Sequence, residues 1–118
     1  MSSPFIEQIK ARRTIYALGN RVTHSEAQLT ALIKDAVKHS PSSFNSQSSR
    51  AVILFGEQHH KLWDIVKAEL KKIVPPEAYP QSEAKINGSF RAGAGTVLFF
   101  EDTAVIEDLQ QKFALYAD

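Results

Sequence analysis

Cysteine is absent from all 118 residues, which excludes disulfides and thiolate metal sites and fits a reducing, cytoplasmic setting. Neither sign of charge is in excess, with 14 basic residues against 13 acidic ones. A generic binder of nucleic acid or anionic membrane needs a clear basic surplus, so neither partner is expected and any cationic chemistry is local. Long apolar runs are missing too. The opening "MSSPFIEQIKARR" puts its charge after too short an apolar stretch for a signal peptide or a membrane span. Glycine is missing from a place where it is usual: "HSPSSFNSQSSR", His39 to Arg50, joins two apolar segments with six serines, one proline, Asn45 and Gln47.

What is present reads as one domain over residues 1–118, of ordinary globular composition at 43% hydrophobic and 23% charged residues. Such a chain can bury roughly 65% of its unfolded surface. Ser3-Pro4 opens a first helix that runs to about Arg13, with Phe5, Ile6 and Ile9 as its apolar face. Thr14, Ile15 and Tyr16 favour extended backbone, and Gly19-Asn20 signals a turn. Thr23 to Glu26 has the spacing of a capping box, followed by a core stripe of Leu29, Leu32, Ile33, Ala36 and Val37. That helix ends before Ser40-Pro41.

Ala51–Phe55, "AVILF", reads as a strand buried on both faces. A helix from about Gln58 to Val74 follows, with Leu62, Trp63, Val66, Leu70 and Ile73 on one side and solvated Lys61, Lys67, Lys71 and Lys72 on the other. A short helix falls near Glu83–Asn87, then the strand within "GAGTVLFFED", then a helix from Ala104 to Phe113 capped by Asp102 or Thr103. The class is α/β or α+β. Two strands make a poor sheet, so something else must complete it.

Two stretches could carry chemistry. In "ARRT", Arg12, Arg13 and Thr14 can grip a phosphate with forked guanidinium donors and a hydroxyl; alternatively, the arginines merely face the negative end of a helix dipole. Ser40, Ser42, Ser43, Asn45, Ser46 and Gln47 can hydrogen-bond a planar heterocycle; equally, such residues are common in a solvent-facing connection. Adjacent His59 and His60 point different ways along a helix and make a poor metal pair, so no metal is expected.

Taken together, "RRTIYALG", "HSPSSFNSQSSRAVILFGEQHHKLWDIV" and "KIVPPEAYPQSEAKINGSFRAGAGTVLFFED" resemble the nitroreductase family, over nearly the whole chain. Within it they are most similar to the fungal and bacterial branch of nitroreductase homologues and fatty-acid-repression proteins. The resemblance implies an α+β, nitroreductase-like fold, an intertwined homodimer, and one FMN in each of two interface clefts. It implies that Arg12, Arg13 and Thr14 hold the FMN phosphate and ribityl chain. Pro41, Ser42, Ser43, Asn45 and Gln47 would reach the flavin ring of the other subunit. Lys85 matches a lysine donating to the pyrimidine side of the ring; a plain surface lysine is the alternative. Tyr16 stands where many relatives carry a basic residue, leaving it a stacking or hydroxyl role. Ser48-Ser49-Arg50 replaces the Pro-aromatic pair of the wider family, a change that bears on the substrate cleft.

By the same resemblance, FMN carries the redox step, with electrons from NADH or NADPH passing to a nitroaromatic or quinone-type small molecule, and no catalytic protein side chain is required. Family members are typically longer, and the chain stops at "FALYAD" where the resemblance would continue, so the expectation is an N-terminal portion of the fold. A flavin-binding protein or remnant without turnover stays open, as does a phosphate- or nucleotide-binding module unrelated to flavin.

Overall fold

Residues 3–114 are described by the computed structural model; Leu115 to Asp118, the end of "FALYAD", lie outside them. Helix α1 (Pro4–Ala11) is capped by Ser3, whose hydroxyl accepts from the Ile6 amide at 3.2 Å. It ends before Arg12, which turns extended at φ −66° and ψ 130°. The β-branched Thr14 and Ile15 just beyond favour leaving the helix, yet residues 12–16 form no strand.

Helix α2 (Glu26–Lys38) opens with a capping box one half-turn later than the sequence pattern suggests. The Gln28 amide donates to Ser25 Oγ at 3.1 Å, and the Ser25 amide to Gln28 Oε1 at 2.8 Å. Thr23 and Glu26 play no part in it. Ser25 and Gln28 satisfy the same pattern; within the helix Leu29, Ile33 and Val37 form one i, i+4 row and are half-buried. Leu32 and Ala36, expected in the core, are exposed.

Strand β1 (Ser49–Phe55) pairs antiparallel with β2 (Gly95–Glu101), from Ser49 opposite Glu101 to Phe55 opposite Gly95. These are the only two strands among the described residues. With α2 against β1 and no further strand, β1 is not buried on both faces: Val52 is exposed, while Ile53, Leu54 and Phe55 are half-buried. Helix α3 (Gly56–Ile73) leaves β1 without a loop, and Gly56 makes the corner at φ +54°, where a side chain would be strained. His59, in the first turns of α3, is fully buried, its Nδ1 2.7 Å from Thr96 Oγ1 on β2. Close approach explains Gly95: a Cβ there would lie 2.7 Å from the Leu54 carbonyl oxygen.

Farther along α3, Leu62, Trp63, Val66 and Leu70 are half-buried, whereas Ile73 is exposed at the helix end. Lys61, Lys71 and Lys72 are solvated. Lys67 departs from that reading: its Nζ lies 3.3 Å from Asp64 and 2.9 Å from Asn87 Oδ1. Helix α4 (Tyr79–Lys85) runs into a π-helical turn, Ile86–Phe90, closed by the Arg91 amide on the Ile86 carbonyl. Ile86 is the one buried large apolar side chain among the described residues. Helix α5 (Thr103–Lys112) is capped by Asp102, which accepts from the Ala104 amide at 3.1 Å. The chain divides into two units, residues 1–20 with 62–93, and residues 21–61 with 94–118.

Two substitutions separate the caps: Ser25→Ala lowers unfolding free energy by about 1 kcal/mol, while Thr23→Ala stays within about 0.5 kcal/mol of wild type. Gly95→Ala costs about 1–3 kcal/mol, because backbone must move to admit the methyl group. Urea titration followed by far-ultraviolet circular dichroism measures all three.

Candidate functional site

In the unit of residues 21–61 and 94–118, the serine-and-amide segment is folded against itself. A 3₁₀ turn at Ser43–Asn45 puts Phe44 at φ 55° and Asn45 at φ 52°, with Gln47 at φ 52° beyond it. Left-handed backbone is unfavourable for side chains of this size and persists only where surroundings enforce it. The enforcing bonds are on hand. Ser42 Oγ accepts from the Gln47 amide at 3.0 Å, and the Ser42 carbonyl accepts from the Asn45 amide at 3.0 Å. The Ser43 carbonyl accepts from the Ser46 amide at 3.1 Å. Phe44 stacks on Phe113 with ring centroids 4.6 Å apart.

The segment's far end is tied to the end of β2. Ser48, buried, donates to Glu101 Oε2 at 2.6 Å, and Ser49 donates to Glu101 Oε1 at 2.9 Å. These two hydroxyls, together with the nearby Arg50 charge, hold the Glu101 carboxyl below its ordinary range, against a smaller opposing effect of desolvation. Arg50 donates to the Gln47 carbonyl at 2.8 Å and pairs with Asp102 at 3.1 Å.

Pro41, Ser42, Asn45 and Gln47 line one groove of about 640 Å³, with Arg50 and Phe99 among its other walls. Gln47 Nε2 donates to Asn45 Oδ1 at 3.1 Å. Asn45 Nδ2, a donor, and Gln47 Oε1, an acceptor, make no hydrogen bond among the described residues, and both residues line the groove. Ser43 is not part of that wall. It lines a neighbouring pocket of about 430 Å³ together with Phe44, Ser48 and Glu101.

Arg12, Arg13, Thr14, Tyr16 and Lys85 belong to the other unit. Arg12 is the C-cap of α1 and Arg13 lies one residue past it, so both stand at the helix's C-terminal end beyond the last-turn cation Lys10. Both arginines and Thr14 are exposed, and neither guanidinium has an ion pair among the described residues. Tyr16 and Lys85, 69 positions apart in sequence, are brought together: Lys85 Nζ sits 5.2 Å from the centre of the Tyr16 ring. The Ser89 hydroxyl donates to the Tyr16 carbonyl, and Phe90 meets the Tyr16 ring edge-on at 6.4 Å. Phe90 in turn stacks on Trp63 at 5.0 Å. In the same unit Arg91 grips Asp64 at 2.9 Å and, foremost among several causes, lowers its carboxyl's proton affinity.

Glu101, Phe44 and Phe90 are not among the site residues expected from the sequence. For Glu101 a signal existed: paired carboxylates directly after an apolar strand, where the strand's end must meet the other end of the sheet. Among the described residues no group of three or more His, Asp or Glu is gathered as for a metal, and no helix is long and apolar enough to cross a membrane.

Because the native Glu101 carboxyl titrates below its unfolded value of about 4.3, its stabilisation is complete above that value and is lost as pH falls through the native one. The difference in urea midpoint between wild type and Glu101→Gln is therefore expected to be constant from pH 7 to 5 and to close on further acidification. A gap that does not depend on pH contradicts the assignment.

The sequence model of the nitroreductase family matches residues 9–117. Saccharomyces cerevisiae HBN1 is 37% identical over 117 residues, which cover 96% of this chain and 56% of HBN1. Among solved structures, nitroreductase CinD from Lactococcus lactis in complex with chloramphenicol superposes with a TM-score of 0.80 at 49% identity, covering 97% of this chain and 56% of CinD. A Saccharomyces cerevisiae nitroreductase superposes with a TM-score of 0.75 at 32% identity, covering 96% of this chain and 61% of its own. The chain thus spans little more than half the length of the relatives it matches. Motif, sequence match and superposition agree over nearly every residue: the chain belongs to the nitroreductase family and has a nitroreductase-like α+β fold.

Proposed function

We propose that this chain supplies part of the FMN site of an oxidoreductase that reduces nitroaromatic or quinone-type acceptors with electrons from NADH or NADPH. The observation that carries the reading is the groove wall of Asn45 and Gln47. These two residues bring one free donor and one free acceptor to the same groove, the two kinds of group that the N–H and C=O edge of a flavin's pyrimidine ring calls for. The family assignment supports the oxidoreductase class, and CinD's chloramphenicol, itself a nitroaromatic, supports the acceptor class.

The residues present fit the cofactor. Arg12 and Arg13 are guanidiniums without a counter-charge among the described residues, suited to a dianionic phosphate, and Thr14 adds a hydroxyl. Lys85, held at the Tyr16 ring, keeps a cation for the electron-rich side of a ring. FMN, when bound, supplies the electron-transfer chemistry; the chain's own residues bind and orient it. Arg12, Arg13, Thr14 and Lys85 belong to one unit, Asn45 and Gln47 to the other. In a homodimer, one protomer's set could serve the flavin held by its partner. Large apolar side chains left exposed, Phe5 at 72%, Leu32 at 65% and Phe99 at 70%, support a covering surface of that kind. A cysteine-free chain suits the cytoplasm.

Titration of the purified chain with FMN is expected to give a yellow complex that bleaches on anaerobic addition of NADH or NADPH and recovers with 4-nitrophenol or a quinone. Arg12→Ala is expected to raise the dissociation constant for FMN roughly 10- to 100-fold, as loss of a charged hydrogen bond does. A colourless protein that cannot be reconstituted overturns the proposal. Bound flavin without NADH or NADPH oxidation identifies a flavin binder lacking turnover, and an unchanged constant in Arg12→Ala removes the arginines from the site.

A further inference from the structure

The backbone of Ser48 is already anchored without any help from Glu101: its carbonyl accepts from the Asp102 amide at 2.8 Å. Two further bonds from one carboxylate to Ser48 and Ser49 therefore act on side chains, and they fix where protons point. Ser48 has a single hydroxyl proton and donates it to Glu101, so across the 3.3 Å contact between the Ser46 and Ser48 hydroxyls, Ser46 must be the donor. A directed chain results, Ser46 to Ser48 to Glu101. It ends on a charged acceptor, where such bonds are strongest.

Ser46 lies between the two residues whose amides form the groove wall, Asn45 and Gln47. Both of those have left-handed backbone, a conformation that relaxes unless it is held. Gln47 is held at its amide by Ser42 and at its carbonyl by Arg50. Ser46 has its amide on the Ser43 carbonyl, and its side chain reaches the carboxylate only through Ser48.

We propose that Glu101 is a positioning residue for the ring site: through Ser48 and Ser46 it keeps Asn45 and Gln47 in the strained backbone arrangement from which both line the groove. The inference rests on the flavin reading of that groove. Glu101 lines the adjacent pocket and not the groove itself, so its effect on the ligand is indirect.

Glu101→Gln preserves size and removes the charge that receives both hydroxyl protons. In the unliganded chain, amide hydrogen exchange at Asn45, Ser46 and Gln47 is expected to quicken about tenfold beyond any change at the amides of β1 and β2. The dissociation constant for FMN is expected to rise about tenfold, and Glu101→Asp to restore part of both losses. If Glu101→Gln fails to fold, Ser48→Ala breaks the same chain at its middle and is expected to show the same local pattern. Unchanged exchange at the three amides, or faster exchange with FMN affinity intact, overturns the positioning role. Failure of the wild-type chain to bind FMN overturns the flavin reading instead, and the exchange measurement alone then decides whether Glu101 holds the segment.

Discussion

Register between β1 and β2 is the constraint on which the groove-bearing unit depends. Seven residue pairs set Ser49 opposite Glu101 and Phe55 opposite Gly95. With that pairing the carboxylate meets two serine hydroxyls, and buried His59 meets Thr96. A slip by one residue would turn every side chain of one strand to the opposite face, separating Glu101 from Ser48 and putting a side chain where Gly95 now sits close to Leu54 and Phe55. Two strands hold this register weakly by themselves. Gly95, the corner at Gly56 and the His59–Thr96 bond pin one end of the ladder, while the Glu101 bonds and the Asp102 amide pin the other.

Glycine's absence from His39–Arg50 has a physical explanation in this arrangement. Three residues there take backbone angles that glycine adopts without strain, yet they are Phe44, Asn45 and Gln47. Each carries a side chain with a job in the fold: Phe44 stacks on Phe113, and the two amides bond to each other along the groove. Strain at such positions costs on the order of 1–3 kcal/mol each and is offset by surrounding bonds. Glycine would remove both the strain and the donors.

The apolar surface is the other unusual feature. Ile86 is buried, while Phe5, Ile9, Leu32, Ile73, Phe99 and Phe100 are all more than half exposed. Solvent-facing aromatics in adjacent positions on β2 are the expected consequence of a sheet with two strands and a helix against one of them.

Helices were legible in the sequence because their signals are local: Ser3 and Asp102 cap α1 and α5, and the pre-proline position closes α2. The serine-and-amide segment and the arginine pair were legible as motifs, since composition and spacing alone carry them. Burial was misjudged where it depends on what lies across a face, as at Leu32 and Val52, because periodicity records which residues share a side but not whether anything covers it. The cap at Ser25 instead of Thr23 was not legible, because Thr23–Glu26 and Ser25–Gln28 are equal local patterns. Tyr16 with Lys85, Trp63 with Phe90 and Ser48 with Glu101 are partnerships across 27 to 69 positions, made by chain reversals that no local pattern encodes. Sequence determined which chemical groups this protein has and the elements that bear them; tertiary structure decided which groups meet, because hydrogen bonds and ring contacts depend on distances fixed only when remote segments pair.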